Sequence, residues 1–302
     1  MKTICFLGDS ITMRGYWTAE IFETLRKDGI YMYNCGVSGD NVDIALERLY
    51  TNCLCRTPDT VSVMYGVNDI WWNQYVQNPT PEQEQHHRDR VEHYKKSLRA
   101  LVDAILDSGV SVILCTPPPY NDADPDEGTL RVNDGLEQCA AIVRALAAEY
   151  GLPLVDMFGT LRPLVGKVYT TEPDRVHPSR AGEHLLAQTF LRAMGYIDTI
   201  DTAPYTLPTA EAEERFAIEN RLRFLYFVEW NQMHTERVQY PMGHPALRAL
   251  AKERYENAKA GNDERGIRWY GTYLDNIDQW EAYESALVRM TLKMAKKQGG
   301  TK

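Results

Sequence analysis

Over its first 195 residues the chain alternates short apolar runs of strand length with longer stretches whose apolar residues recur every three or four positions. The strand-like runs cover residues 3–7, 32–35, 60–65, 110–115 and 153–156. The helical stretches cover 16–28, 42–50, 91–107, 132–150 and 179–193. Gly29, Gly109 and Gly151 each follow a helical stretch, where a left-handed cap costs glycine least. Such alternation predicts a five-stranded parallel sheet with helices on both faces. In sheets of this kind, binding sites lie beyond the C-terminal ends of the strands. Two segments interrupt the rhythm. Residues 71–90 are polar and carry Trp71, Trp72, His86 and His87, and residues 117–128 begin with three consecutive prolines. Both are expected to be loops on the edge where a site would form, with the two histidines solvated.

Four short blocks sit at that edge. Gly8-Asp9-Ser10 follows the first strand, Asn34-Cys35-Gly36-Val37-Ser38-Gly39-Asp40 ends the second, and Gly66-Val67-Asn68-Asp69 follows the third. Asp174-Arg175-Val176-His177-Pro178 precedes the last helix of the series. Each alone is ordinary turn composition; their order and placement carry the signal. A serine at a strand-to-helix turn is a nucleophile only if a base reaches it. A neutral imidazole serves as that base, and a carboxylate on its other nitrogen fixes the tautomer. Asp174, three residues before His177, can supply it. Acyl transfer also needs donors for a developing oxyanion. The Ser10 and Gly39 N–H groups and the Asn68 amide can converge if their strands are neighbours.

In these four blocks the chain resembles the SGNH, or GDSL, hydrolase family over residues 1–195. The resemblance implies a flavodoxin-like three-layer α/β/α fold and ester hydrolysis. It implies Ser10, Asp174 and His177 as the catalytic triad, and Ser10, Gly39 and Asn68 as oxyanion donors. It implies no cofactor, and no His/Cys/Asp/Glu cluster has metal-ligand spacing. Ile11 follows the serine where many members have leucine, and Arg175 stands where a small residue is common. Asp9, Arg14, Trp71 and Trp72 are candidates for touching substrate. Against that, Asp9 and Asp69 read as acceptors bracing their turns, the tryptophans as packing residues, Arg14 as a solvated turn residue, and Asp40 as the cap of the helix near Val42. The expected activity is hydrolysis of small acyl esters through an acyl-serine, with an acetyl group on a carbohydrate as the suggested substrate. Alternatives are a thioesterase, lysophospholipase or acyltransferase and, outside enzymes, a ligand-binding scaffold.

A net charge of -9 argues against nonspecific binding to nucleic acid or anionic membrane. No apolar run approaches a membrane span, and a strand pattern beginning at residue 2 leaves no room for a signal peptide, so the expected location is cytoplasmic. The six cysteines read as reduced thiols. Residues 196–207 read as a linker, and 208–302 as a helical extension with helices over 210–234, 245–260 and 263–297. An apolar stripe along the last of these predicts a homodimer built on the extension.

Overall fold

Successive residues of a strand face opposite sides of a sheet, and the first strand, β1 (Lys2–Gly8), uses both sides for burial. Phe6 points to one helical layer while Cys5 and Leu7 point to the other, and all three are buried. This computed structural model describes residues 2–28, 30–126, 128–206, 209, 245–262, 267, 271 and 274. Two compact units make up the chain: residues 1–49 with 58–207, and residues 50–57 with 208–302.

The first unit holds a five-stranded, all-parallel sheet in the order β2-β1-β3-β4-β5. The other strands are β2 (Ile30–Gly36), β3 (Thr60–Met64), β4 (Ser111–Cys115) and β5 (Leu154–Val155). The strand order reverses between β1 and β3, so a crevice is expected beyond their C-terminal ends. On one face α2 (Tyr16–Leu25) packs on α7 (Arg180–Ala193). Phe6, Trp17 and Phe190 form the centre of this layer, with Phe6 edge-on to Trp17 at 5.3 Å between centroids. The other face carries α3 (Val42–Arg48), α4 (Pro81–Asp107) and α5 (Val132–Tyr150).

Several elements differ from the sequence reading. Helix α4 starts at Pro81, ten residues before the expected start, and turns half of the predicted 71–90 loop into helix. Its start is a reciprocal capping box: Thr80 Oγ1 accepts from Gln83 N, and Gln83 Oε1 accepts from Thr80 N. His87 is therefore buried rather than solvated, stacked on Tyr75 at 4.0 Å. A short helix, α6 (Met157–Leu161), follows β5, capped by Asp156. Finally, residues 196–206 are not a free linker. Ile197 and Ile200 pack against the core, Asp201 N donates to Gln188 Oε1, and Tyr205 lies against His184 and Arg180.

In the second unit, α8 (Pro245–Ala260) forms where its pattern predicts. The predicted helices over 210–234 and 263–297 lie outside the described residues. Among the described residues, no helix is long and apolar enough to cross a membrane.

Candidate active site

Gly8 closes β1, and the chain turns at once into α1 (Ser10–Arg14), a helix one turn earlier than its sequence pattern suggests. Asp9 caps it, its carboxylate accepting from Ile11 N at 2.9 Å. The helix lies so close across the strand ends that two positions must be glycine. A Cβ on Gly8 would sit 2.2 Å from Thr12 Oγ1, and one on Gly36 would sit 2.3 Å from the backbone nitrogen of Met13. Asn34 on β2 fastens the helix by donating to Thr12 O at 2.6 Å. Gly36→Ala is therefore expected to displace α1, because its clash is with backbone that cannot rotate away. The check is a lower melting temperature together with lost activity; an alanine variant matching the parent in both rejects the close-approach argument.

Beyond β5 the chain returns to the same edge. A bridge between Thr171 and Pro178 closes a loop that carries Asp174 and His177. Asp174 Oδ1 accepts the backbone N–H groups of Val176 and His177, which turns Oδ2 toward His177 Nδ1 at 2.6 Å. On the far side of the ring, His177 Nε2 lies 2.8 Å from Ser10 Oγ. With the ring proton on Nδ1, Nε2 is the acceptor for the serine hydroxyl. Burial works to raise the Asp174 pKa, but the hydrogen bonds from His177 and Val176 outweigh it, and the carboxyl ends below its ordinary range.

A match to the GDSL-like lipase/acylhydrolase family spans residues 6–185. The chain belongs to that family. An acetylxylan esterase of Geobacillus stearothermophilus is 32% identical over 172 residues, which are 56% of this chain and 74% of that protein. The crystal structure of Axe2, an acetylxylan esterase from Geobacillus stearothermophilus, superposes with a TM-score of 0.53 at 29% identity, covering 65% of this chain and 95% of the other. Solved catalytic mutants of that esterase replace a serine, an aspartate or a histidine by alanine, the last two three residues apart, as Asp174 and His177 are here. This GDSL hydrolase is accordingly an ester-hydrolysing enzyme.

The predicted oxyanion donors come from two further loops of the hydrolase. Gly39 is exposed on the turn after β2, with a left-handed φ of 74° and open space where a side chain would be. Asn68 follows β3 and is half-buried; its Nδ2 donates one bond to Asp40 O at 2.8 Å. Beneath both loops lies a polar cluster that the sequence reading did not anticipate. Asp40 does not cap α3; Asn41 does, accepting from Ile44 N. Asp40 instead pairs with Arg48 and accepts from Tyr65 Oη, and is 1% exposed. Arg48 also donates to Cys35 O and Gly8 O, tying the ends of β2 and β1 to α3. Burial opposes its charge, yet Tyr65 and Asp40 hold the guanidinium above its ordinary pKa. No motif marked Arg48, which sits in an unremarkable helical stretch.

The candidate substrate contacts divide. Asp9 is buried and serves α1, so it has no surface to offer a ligand. Arg14 bonds Glu172 at 2.9 Å and lies 3.7 Å from Glu183, joining α1 to the His177 loop and α7 rather than standing solvated. Trp72 is half-buried. Trp71 is 43% exposed, with a left-handed φ of 54°, and its ring is held by His86 and Arg90. A bulky side chain in that backbone region is rare and costs energy.

Two carboxyls next to these loops carry a pH prediction. Burial pushes Asp9 and Asp69 up to about 7, against hydrogen bonds from Ile11 and Val42 respectively. Asp69 Oδ2 is buried without a partner among the described residues, as suits a protonated acid. Both folded values lie above the unfolded 3.8, so the contribution to stability is whole below that value and is lost as pH rises through about 7. The melting temperature is expected to fall between pH 5 and pH 8, and Asp69→Asn to shrink that fall. An unchanged fall in the variant would remove Asp69 from the account.

Proposed function

We propose that this hydrolase removes small acyl groups, acetyl foremost, from carbohydrate esters through a covalent acyl-serine. The observation that carries the reading is the unbroken chain from Ser10 Oγ through His177 to Asp174, with links of 2.8 and 2.6 Å. Ser10 Oγ attacks the ester carbonyl carbon while its proton passes to His177 Nε2. The Asp174 carboxylate, held ionised by its hydrogen bonds, stabilises the imidazolium. Ser10 N–H, Gly39 N–H and the second Asn68 amide hydrogen receive the oxyanion. His177 then protonates the departing alcohol. Water, deprotonated by the same ring, releases the acid and restores the serine.

The carbohydrate assignment draws on the acetylxylan esterase relative and on Trp71, a part-exposed indole beside the loop that carries Asn68. Two assays test the proposal. A fluorophosphonate should label Ser10 and no other serine, and acetate should be released from acetylated xylo-oligosaccharides. Labelling elsewhere refutes the mechanism; turnover of a simple acetyl ester with no acetate from the sugar refutes the alcohol assignment. Asn68→Ala is expected to lower kcat by about 10²–10³ with little change in KM. A change confined to KM would make Asn68 a binding residue instead.

A further inference from the structure

Arg175, between Asp174 and Val176, breaks two rules at once. It has a Cβ yet adopts a left-handed φ of 63°, and its long side chain turns away from solvent onto the loop after β4. There the guanidinium donates to the carbonyls of Asn121, Ala123 and Asp124 at 3.1–3.3 Å, and to Asp126 Oδ2 at 3.0 Å. The backbone joins in: Arg175 O accepts from Asn121 N at 2.9 Å. That loop is itself anchored from behind. Arg162 grips Asp122 with two bonds, of 2.8 and 2.7 Å. Asn133 exchanges bonds with both backbone groups of Tyr120. Asn121 Nδ2 reaches Thr171 Oγ1 at the other end of the His177 loop.

The left-handed residue lies inside the turn in which Asp174 Oδ1 collects the N–H groups of Val176 and His177. If Arg175 relaxed to an ordinary φ, those two N–H groups would swing away and the carboxylate would lose its aim at Nδ1. Glycine would hold this conformation without strain; arginine needs something to hold it there. We propose that Arg175 is a positioning residue: its guanidinium, fastened to the anchored 121–126 loop, holds the strained turn that aligns Asp174 with His177. This rests on the serine-hydrolase reading above. The role follows from the geometry, since the clamp and the strain act on one residue and both bear on the same carboxylate.

The test compares alanine, glycine and lysine at this position on a small acetyl ester, whose alcohol makes few contacts. Arg175→Ala keeps the backbone strain and loses the clamp, so kcat should fall about tenfold or more with KM nearly constant, as for a misplaced catalytic group. Arg175→Gly also loses the clamp but removes the strain, so its kcat should exceed that of the alanine variant by roughly threefold. Lysine keeps a charge but not the forked donors, and should fall between alanine and the parent. The rate of fluorophosphonate labelling of Ser10 should follow the same ranking. A mere loss of packing would rank glycine below alanine. Parental kcat in the alanine variant, glycine no better than alanine, or an effect on KM alone each overturns the proposal. Should the alanine variant fail to fold, Asp126→Asn, which weakens one anchor of the clamp, is expected to lower kcat severalfold, and an unchanged kcat rejects the role. Ser10→Ala run alongside separates the two readings. If it retains turnover, the serine mechanism fails; if it is inactive while Arg175→Ala is fully active, only the positioning role fails.

Discussion

Alanine at Ser10 is expected to lower kcat by a factor on the order of 10⁶, and alanine at His177 by a similar factor. Combining the two should cost almost nothing further. The reason lies in the shared proton: with Nε2 at 2.8 Å from Oγ, the ring and the hydroxyl act as one group. Removing either leaves the other without a task. What survives in all three variants is catalysis by binding and oxyanion donors alone, roughly 10³–10⁴ over water. Losses that multiply in the double variant would mean two independent roles and would refute the arrangement. Steady-state rates on one acetyl ester, with circular dichroism to verify folding, decide the matter.

The second large effect concerns stability. Arg48→Met removes a guanidinium that is 8% exposed and leaves Asp40, 1% exposed, as an unpaired buried acid. Breaking such a pair from one side typically costs about 3–5 kcal/mol. Denaturant unfolding should reveal that loss. Arg48→Met combined with Asp40→Asn should be less damaging than the sum of the separate changes, because the second substitution removes the stranded charge. Additive losses would indicate that the pair does not act as a unit. Activity is a second readout, since Arg48 holds Gly8 O at the end of β1 and Asp40 precedes the helix whose loop carries Gly39.

The alternation of strand and helix was legible because both periods are strong in residues 1–195, and the sheet is parallel and five-stranded as they imply. Ser10 was legible for a different reason, since a short turn after a strand leaves little freedom over where a side chain can go, and Asp174 and His177 were legible because three residues separate them, close enough for one loop to bring them together. Long side chains escaped. Arg48 and Arg175 each reach a distant segment, and nothing in the surrounding residues encodes the destination. The early start of α4 was missed although its signal was present. Thr80-Pro81-Glu82-Gln83 spells a capping box with proline in the first turn, and the polar composition of the next ten residues hid it. Asp40 misled for a related reason, since a helix cap and a buried ion pair place the same residue type at the same turn.

The strap formed by residues 196–206 redirects the polypeptide. Helix α7 begins just after His177 and runs away from the catalytic edge, as a helix following a parallel strand must. The strap doubles back along it, passing Gln188 at Asp201 and reaching His184 and Arg180 at Tyr205. The strap therefore ends beside the start of α7, a few residues from His177, and not at the opposite end of the sheet. The strap thus covers the outer side of α7 next to the catalytic loop, and substitutions at Tyr205 would loosen its hold on His184 and Arg180.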